Sequence, residues 1–230
     1  MKGATVLNLF SERIIRGDEP RTIAPGLLTI RDQHIDSVDW SITHIGQARE
    51  KTQGDVFDAG RHLVTPAFIN GHSHLARCAF RGLNVDAMDG NVVEEVYFRL
   101  EGMLTPGDVR AFARMGAYES ILSGVASVWD HYYHTESVVA GLRDVGLSAV
   151  MAPTLQDLNG PGTARCEAQI EATLDLAQNT TLHDEGIVAA LGPHATDTVS
   201  DALWERVATL AEDHDLPVHA HVAQSVEEFE

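Results

Sequence analysis

The stretch Leu63-Val64-Thr65-Pro66-Ala67-Phe68-Ile69-Asn70-Gly71-His72-Ser73-His74 decides how this chain is interpreted. A short apolar run ends in small polar residues and then in two histidines two positions apart. Side chains alternate faces along an extended strand, so His72 and His74 point to the same side. Two neutral imidazoles that converge on one point form half of a transition-metal site. Standing alone, such a pair is more typical of two surface histidines.

A second pair, His219-Ala220-His221, follows another apolar run, Leu216-Pro217-Val218. The sequence thus contains two His-x-His pairs, each at the end of a predicted buried strand. This repetition favours a metal centre over surface histidines.

Charge and composition exclude several classes of partner. The chain has 230 residues, with 16 Lys+Arg against 34 Asp+Glu and a net charge of −18. That field repels phosphate backbones and anionic membranes, so we expect a small-molecule substrate and neither nucleic acid nor membrane as partner. No signal peptide or membrane span is apparent. Cys78 and Cys166 form no disulfide or metal pattern, so we predict a cytoplasmic protein.

The chain changes character at residue 63. Residues 1–62 predict a small all-β module, and the polar residues 41–54 give no clear element. Beyond this module, strands are predicted at 126–129, 148–152, 187–191 and 218–222. Helices are predicted at 106–122, 137–144, 166–178 and 201–213, the first of them capped by Thr105 ahead of Pro106. Alternating strands and helices imply a parallel sheet.

Polar side chains follow the predicted strands of this sheet, where ligands bind in (β/α)₈ barrels. A doubly wound sheet normally adds a Gly-rich phosphate loop, and the sequence contains none. We therefore predict an α/β barrel. The strand-end residues are His72, His74, Asp130, His131, Thr154, His194, His219 and His221.

Three segments resemble the amidohydrolase superfamily. Residues 58–75, continued by Arg81-Gly82-Leu83, are similar to its first-strand signature. Gly192-Pro193-His194-Ala195-Thr196-Asp197-Thr198 resembles the fourth-strand segment of the branch that includes S-adenosylhomocysteine deaminases and triazine chlorohydrolases. His219-Ala220-His221-Val222-Ala223-Gln224-Ser225 resembles the H-x-H-x-x-E segment of that branch. The similarity covers nearly the whole chain in order.

The resemblance implies the first five strands of a metal-dependent (β/α)₈ TIM barrel in residues 63–230. It also implies that residues 1–62 are part of a small β-sandwich. The family further requires a sixth-strand His and an eighth-strand Asp, and a complete barrel takes about 250 residues. Since the sequence ends at Glu230, we expect a fragment of a longer protein, and we expect the full-length protein to be a homo-oligomer.

The resemblance assigns metal ligation to His72, His74 and His221, substrate contact to His194, and an inward position behind the ligands to His219. It also limits the number of metals. Binuclear members often use a carboxylated lysine as a bridge, and the two lysines, Lys2 and Lys51, both lie in the β module. We therefore expect one divalent metal, zinc first and iron second.

Gln224 departs from the family pattern, which has Glu three residues after the ligand His. A glutamine amide cannot donate a proton as an acid. The leading hypothesis is a hydrolase of C–N or C–halogen bonds in a small heterocycle or amidine-like group, that is, an aminohydrolase. Hydrolysis of an amide or ring lactam is the alternative that Gln224 favours. A non-catalytic truncated remnant is the hypothesis from another class.

The predicted catalytic residues are His194 and Gln224, and both are also predicted to contact substrate together with Asp130 and His219. For Asp130 the alternative is a structural hydrogen bond at a strand end, and for His219 a satisfied core histidine. For His131 and His134 the alternatives are a place at the mouth of the site and a solvated loop position, and we predict the solvated loop position.

Overall fold

The computed structural model describes residues 5–16, 22–32, 34–83, 90–224 and 228. It divides the chain into two compact units, Met1–Ala67 and Phe68–Glu230. The sequence pattern places the change five residues earlier, because Leu63 and Val64 are continuous with the apolar run before His72. In the structure these two residues pair with the sheet of the first unit.

The first unit contains one five-stranded sheet in its described residues. The strands lie in the order β3-β2-β1-β4, and β5 also pairs with β1. A helix, α1, packs on the sheet through Ala48, so the expectation of an all-β module is wrong. The described residues form a single sheet, and a β-sandwich stays a prediction. The elements are β1 (Val6–Ile15), β2 (Ile23–Arg31), β3 (His34–Asp39), α1 (Ile45–Lys51), β4 (Val56–Asp58) and β5 (Leu63–Val64).

The second unit is a parallel sheet covered by helices. Strand β8 lies beside β7, which lies beside β6, and β9 and β10 both pair with β8. The strands are β6 (Phe68–Ser73), β7 (Val125–Tyr132), β8 (Ser148–Leu155), β9 (Ile187–Ala189) and β10 (Gly192–Pro193). The helices are α2 (Phe98–Glu101), α3 (Pro106–Leu122), α4 (Thr135–Val145), α5 (Cys166–Gln178), α6 (Thr180–Asp184) and α7 (Asp201–His214). Leu75–Phe80 and Thr163–Arg165 form 3₁₀ helices, and Val93–Tyr97 forms a π-helix.

Local sequence explains where α3 begins. Thr105 Oγ1 accepts from the backbone N–H of Asp108, and the Asp108 carboxylate accepts from the backbone N–H of Thr105. This capping box satisfies two N–H groups that would otherwise lack partners at the helix start. Pro106 occupies the first helical position, where it needs no hydrogen bond.

Close packing holds α3 against the segment that follows β6. A Cβ atom added to Gly116 would lie 2.5 Å from the backbone oxygen of Leu75, so the contact requires glycine. Leu75 is buried and directly follows His74. Helix packing therefore positions the end of β6, where the first histidine pair lies.

The predicted strand at 218–222 is reduced to a single bridge between Leu191 and Val218. The backbone still runs alongside β10, because Leu191 N–H donates to Pro217 O and His219 N–H donates to Leu191 O, both at 2.9 Å. His219 and His221 are thus carried to the same sheet edge as His72 and His74. No helix among the described residues is long and apolar enough to cross a membrane.

Candidate metal centre

Three imidazoles from opposite ends of the second unit meet at the carboxyl edge of its sheet. The Nε2 atoms of His72, His74 and His221 lie 3.2 Å from one another in all three pairs. A tetrahedral zinc ion with Zn–N bonds of about 2.0–2.1 Å would place its nitrogens about 3.3–3.4 Å apart. The triangle therefore fits a metal ion bound by three histidines. We call these three residues the histidine triad.

Backbone carbonyls orient two of these rings. His74 Nδ1 lies 2.5 Å from the backbone oxygen of His131, and His221 Nδ1 lies 2.8 Å from that of His194. A carbonyl can only accept, so each Nδ1 carries the proton and each Nε2 keeps its lone pair. Lone pairs facing one another at this distance repel unless a cation lies between them. The arrangement is thus prepared to bind a cation.

The third ring is oriented by another histidine. His72 Nδ1 lies 2.8 Å from Nε2 of His219. When His72 donates its Nδ1 proton to His219, Nε2 of His72 is free to bind a metal. The structure places His219 between the ring of His72 and that of Trp129, to which it lies edge-on with ring centroids 5.4 Å apart. A partner that holds the distal nitrogen of a ligand typically increases metal affinity.

Burial keeps these imidazoles neutral. Burial is the main cause that lowers the pKa of His74 and of His194 to about 3, and that of His219 to about 4. It also lowers the pKa of His72 and of His221. A histidine must lose its proton before it binds a metal, so the site is in its binding form at neutral pH.

A small polar cavity of about 20 Å³ adjoins the triad. That volume suffices for one water molecule or one small substituent of a ligand. Its lining includes Glu101, His131, Thr154, His194, His221 and Gln224. A larger depression of about 690 Å³, open to the surface, is lined by His72, His74, Arg77 and Tyr97 among others.

His194 is buried and faces this small cavity, as its predicted substrate contact requires. Its Nδ1 lies 2.8 Å from Thr198 Oγ1, and its ring centroid lies 4.9 Å from that of His221. Gln224 also lines the cavity, although its side chain is otherwise exposed. Its backbone N–H donates to the Glu228 carboxylate at 2.7 Å.

The sequence interpretation misses several residues of this cavity, among them His131, Glu101 and Arg77. His131 is buried on β7, so its prediction as a solvated loop residue is wrong. The available signal was its place at a strand end, next to Asp130. Glu101 is buried in α2, and its carboxylate lies 3.5 Å from Nε of Arg77. Burial raises the pKa of Glu101 to about 7 against the opposing effect of Arg77.

Asp130 lies in β7 and is fully buried. Its Oδ1 accepts from the backbone N–H of Leu75 at 2.6 Å, directly after His74. Neighbouring residues of a strand point to opposite faces, so Asp130 faces away from the side that His131 occupies. This position supports the structural alternative for Asp130, as a residue that fixes the end of β6.

Asp130 makes folding stability depend on pH. Burial raises its pKa from 3.8 to about 7, so between these values the folded chain keeps a proton that the unfolded chain has lost. Its contribution to stability is therefore complete near pH 4 and is lost as the pH rises through 7. Asp130→Asn keeps the acceptor for Leu75 and does not titrate. We expect equal stability of the two proteins near pH 4, a gap in favour of the variant that grows by up to about 1.4 kcal/mol per pH unit between about pH 4 and pH 7, and a constant gap above pH 7.

Urea unfolding of both proteins between pH 4 and pH 8 measures this difference. Asp36→Asn, at an exposed position of β3, is the matched control and should show no such growing gap. A gap for Asp130→Asn that does not change with pH would contradict a buried neutral carboxyl.

The fold and the site together define a class of protein. Its members are α/β proteins with three histidines at the carboxyl edge of a parallel sheet. Comparison with known proteins identifies the family. The profile described as Amidohydrolase family matches residues 63–230. The chain belongs to the amidohydrolase family.

Individual relatives are similar over part of their length. The 5'-deoxyadenosine deaminase of Methanothrix thermoacetophila is 30% identical over 189 residues, which are 82% of this chain and 44% of that protein. The 5-methylthioadenosine/S-adenosylhomocysteine deaminase of Thermococcus kodakarensis is 32% identical over 174 residues, 76% of this chain and 41% of that protein. The chain thus spans less than half the length of these relatives.

A solved structure shows the same fold. The zinc-bound adenosine deaminase of Xanthomonas campestris superposes with a TM-score of 0.72 at 20% identity, covering 96% of this chain and 50% of that one. At this identity the likeness establishes the mixed α/β fold and nothing about the substrate.

Proposed function

We propose that the protein is a metal-dependent aminohydrolase, which replaces an amino group on an sp² carbon of a small nitrogen heterocycle by oxygen. The observation that carries this proposal is the triangle of three Nε2 atoms at 3.2 Å, two of them with lone pairs directed by backbone carbonyls. The names of the relatives support the choice of a C–N bond, since they are deaminases of adenosine-type compounds.

The proposal gives each residue a role. His72, His74 and His221 would hold the metal, which when bound supplies an activated water at neutral pH by lowering its pKa toward about 7. His219 holds the ring of His72 in the orientation that ligation needs. His194, buried beside His221, contacts the substrate close to the reacting carbon. Gln224 orients a ring nitrogen or carbonyl of the substrate from the rim of the small cavity.

We further propose one metal ion, zinc before iron. A triad of neutral imidazoles suits both metals. Of the two lysines, Lys51 lies in α1, where its Nζ contacts the Ser41 hydroxyl and the Asp39 carboxylate, and Lys2 lies outside the described residues, so no described residue supports a carboxylated lysine bridge.

Two proposals concern the fold. The parallel sheet of the second unit would be the first part of a (β/α)₈ barrel, supported by the likeness to the solved deaminase. The first unit, including residues 1–62, would be part of a small β-sandwich.

The test is ammonia release by the full gene product loaded with zinc. Substrates are 5'-deoxyadenosine, S-adenosylhomocysteine and adenosine, and hypoxanthine-type products are followed by their absorbance. We expect turnover of at least one of these substrates, and we expect this turnover to stop when the metal is removed by a chelator. Metal bound at one ion per chain with no ammonia from any of them would refute aminohydrolysis of this substrate class.

Gln224 favours a second candidate function, hydrolysis of an amide or ring lactam, because its side chain can bind a carbonyl but cannot supply a proton. The change Gln224→Glu separates the two. If deamination is limited by the missing acid, the variant should release ammonia about 10²-fold faster, as a positioned general acid typically provides. Gln178→Glu, at an exposed position of α5, is the control for added charge and should change nothing. Native protein that already deaminates as fast as the Glu variant would show that Gln224 does not limit the reaction.

A further inference from the structure

His131 is a buried polar side chain to which neither the fold nor the triad gives a role. It is 1% exposed, and neither of its ring nitrogens has a hydrogen-bond partner among the described residues. Four other imidazoles surround it. Its ring centroid lies 4.9 Å from His221, 5.7 Å from His219, 5.9 Å from His194 and 6.0 Å from His74.

Such a side chain is costly to the fold. Buried polar groups nearly always have a hydrogen-bond partner, and an unsatisfied one destabilises a protein by about 1–3 kcal/mol. A phenylalanine would fill the same space without that cost. The imidazole also lines the small cavity beside the triad, which a group of one or two heavy atoms can enter.

We propose that His131 is a substrate-contacting residue, which donates one hydrogen bond and accepts another at the polar edge of a bound heterocycle. This inference rests on the proposed function, because it concerns a ligand in the same pocket. The cavity wall carries the neutral polar side chains of Thr154, His194 and Gln224, and the Arg77 cation on this wall lies 3.5 Å from the buried Glu101 carboxylate. The ligand edge they fit is neutral and amide-like, with an N–H beside a carbonyl or ring nitrogen, and a carboxylate or phosphate does not fit.

The backbone of His131 makes a clean test possible. His74 is oriented by the main-chain oxygen of His131, which every replacement keeps. The side chain can therefore be changed while the metal site is preserved. His131→Phe has nearly the same shape and no hydrogen-bonding atoms. His131→Gln keeps one donor and one acceptor, and His131→Leu is a second apolar variant should phenylalanine not fold.

The experiment uses the zinc-loaded full gene product with 5'-deoxyadenosine as the turnover probe and adenine as a binding probe in calorimetry. We expect His131→Phe to bind the same amount of zinc and to unfold at the same or a higher temperature. KM for the nucleoside and Kd for adenine should rise at least about tenfold, the loss of one good hydrogen bond to a buried partner, while kcat falls less. His131→Gln should recover part of the loss. His214→Phe, exposed at the end of α7, is the matched control.

Each outcome decides one question. Native protein that binds adenine, together with an apolar variant that binds it equally well, would overturn the inference and leave the proposed function intact. Loss of zinc or a large drop in unfolding temperature in both apolar variants would show a structural role and would also overturn it. Native, zinc-loaded protein that neither binds nor turns over either probe would count against the inference and the proposed function together.

Discussion

Replacing His72 by alanine is expected to remove bound metal and abolish turnover. The zinc-loaded native protein should retain about one ion per chain through dialysis, and the variant less than about a tenth of that, because two imidazoles hold zinc far more weakly than three. kcat/KM should fall at least about a thousandfold, since activation of water by a metal contributes several kcal/mol to the reaction. Elemental analysis and ammonia release measure the two effects.

His72 suits this test because its side chain is exposed, so its removal should leave folding intact. His34→Ala, at an exposed position of β3 in the first unit, is the matched control and should retain both metal and activity. Equal metal content in His72→Ala and in the native protein would disprove the assignment of the triad.

Replacing Gly116 by alanine is expected to destabilise the second unit despite the better helix propensity of alanine. The new methyl group would lie 2.5 Å from Leu75 O, so α3 or the 3₁₀ helix Leu75–Phe80 must move. Overpacking of this kind typically costs about 1–3 kcal/mol, or roughly 3–10 °C in unfolding temperature for a domain of this size. Because Leu75 follows His74, metal affinity should fall as well.

Gly107→Ala is the matched control in the same helix. Near the exposed start of α3, its Cβ would lie 3.7 Å from the nearest atom, Thr105 Oγ1, with no clash. This variant should be neutral or stabilised by up to about 1 kcal/mol. Thermal unfolding measures the unfolding temperatures of the two variants. Equal shifts of the unfolding temperature in Gly116→Ala and Gly107→Ala would contradict the packing argument.

Elements with strong local signals could be predicted from the sequence. The capping box at Thr105 defined the start of α3, and helical periodicity gave α5 with the bounds Cys166–Gln178. Elements that depend on tertiary contacts were missed. Helix α1 lies in a polar stretch and is held by packing of Ala48 in the core of the first unit. Strand β1 extends through polar Ser11 to Ile15 because β2 and β5 supply partners.

In the site, too, features with a local sequence signal could be predicted and features that depend on tertiary contacts could not. The His-x-His spacing predicts that His72 and His74 share a face, and the second pair predicts a meeting point with His221; the structure brings all three together. The burial of His131 and of Glu101 does not follow from these patterns, although His131 stands at a predicted strand end. His131 lies beyond the predicted strand 126–129 because β7 is longer than its apolar core, and Glu101 lies in a short helix without a motif. Their burial arises from neighbouring segments distant in sequence.

The carbonyl contacts of His74 and His221 have an evolutionary consequence. Both imidazoles are oriented by main-chain oxygens, and the side chains of the residues that provide these oxygens, His131 and His194, line the small cavity. A mutation at either position can therefore alter which compounds bind while the geometry of the triad is inherited unchanged. Such a scaffold would let the cavity wall vary without disturbing the orientation of the triad, with loss of activity wherever the replaced side chain takes part in the reaction.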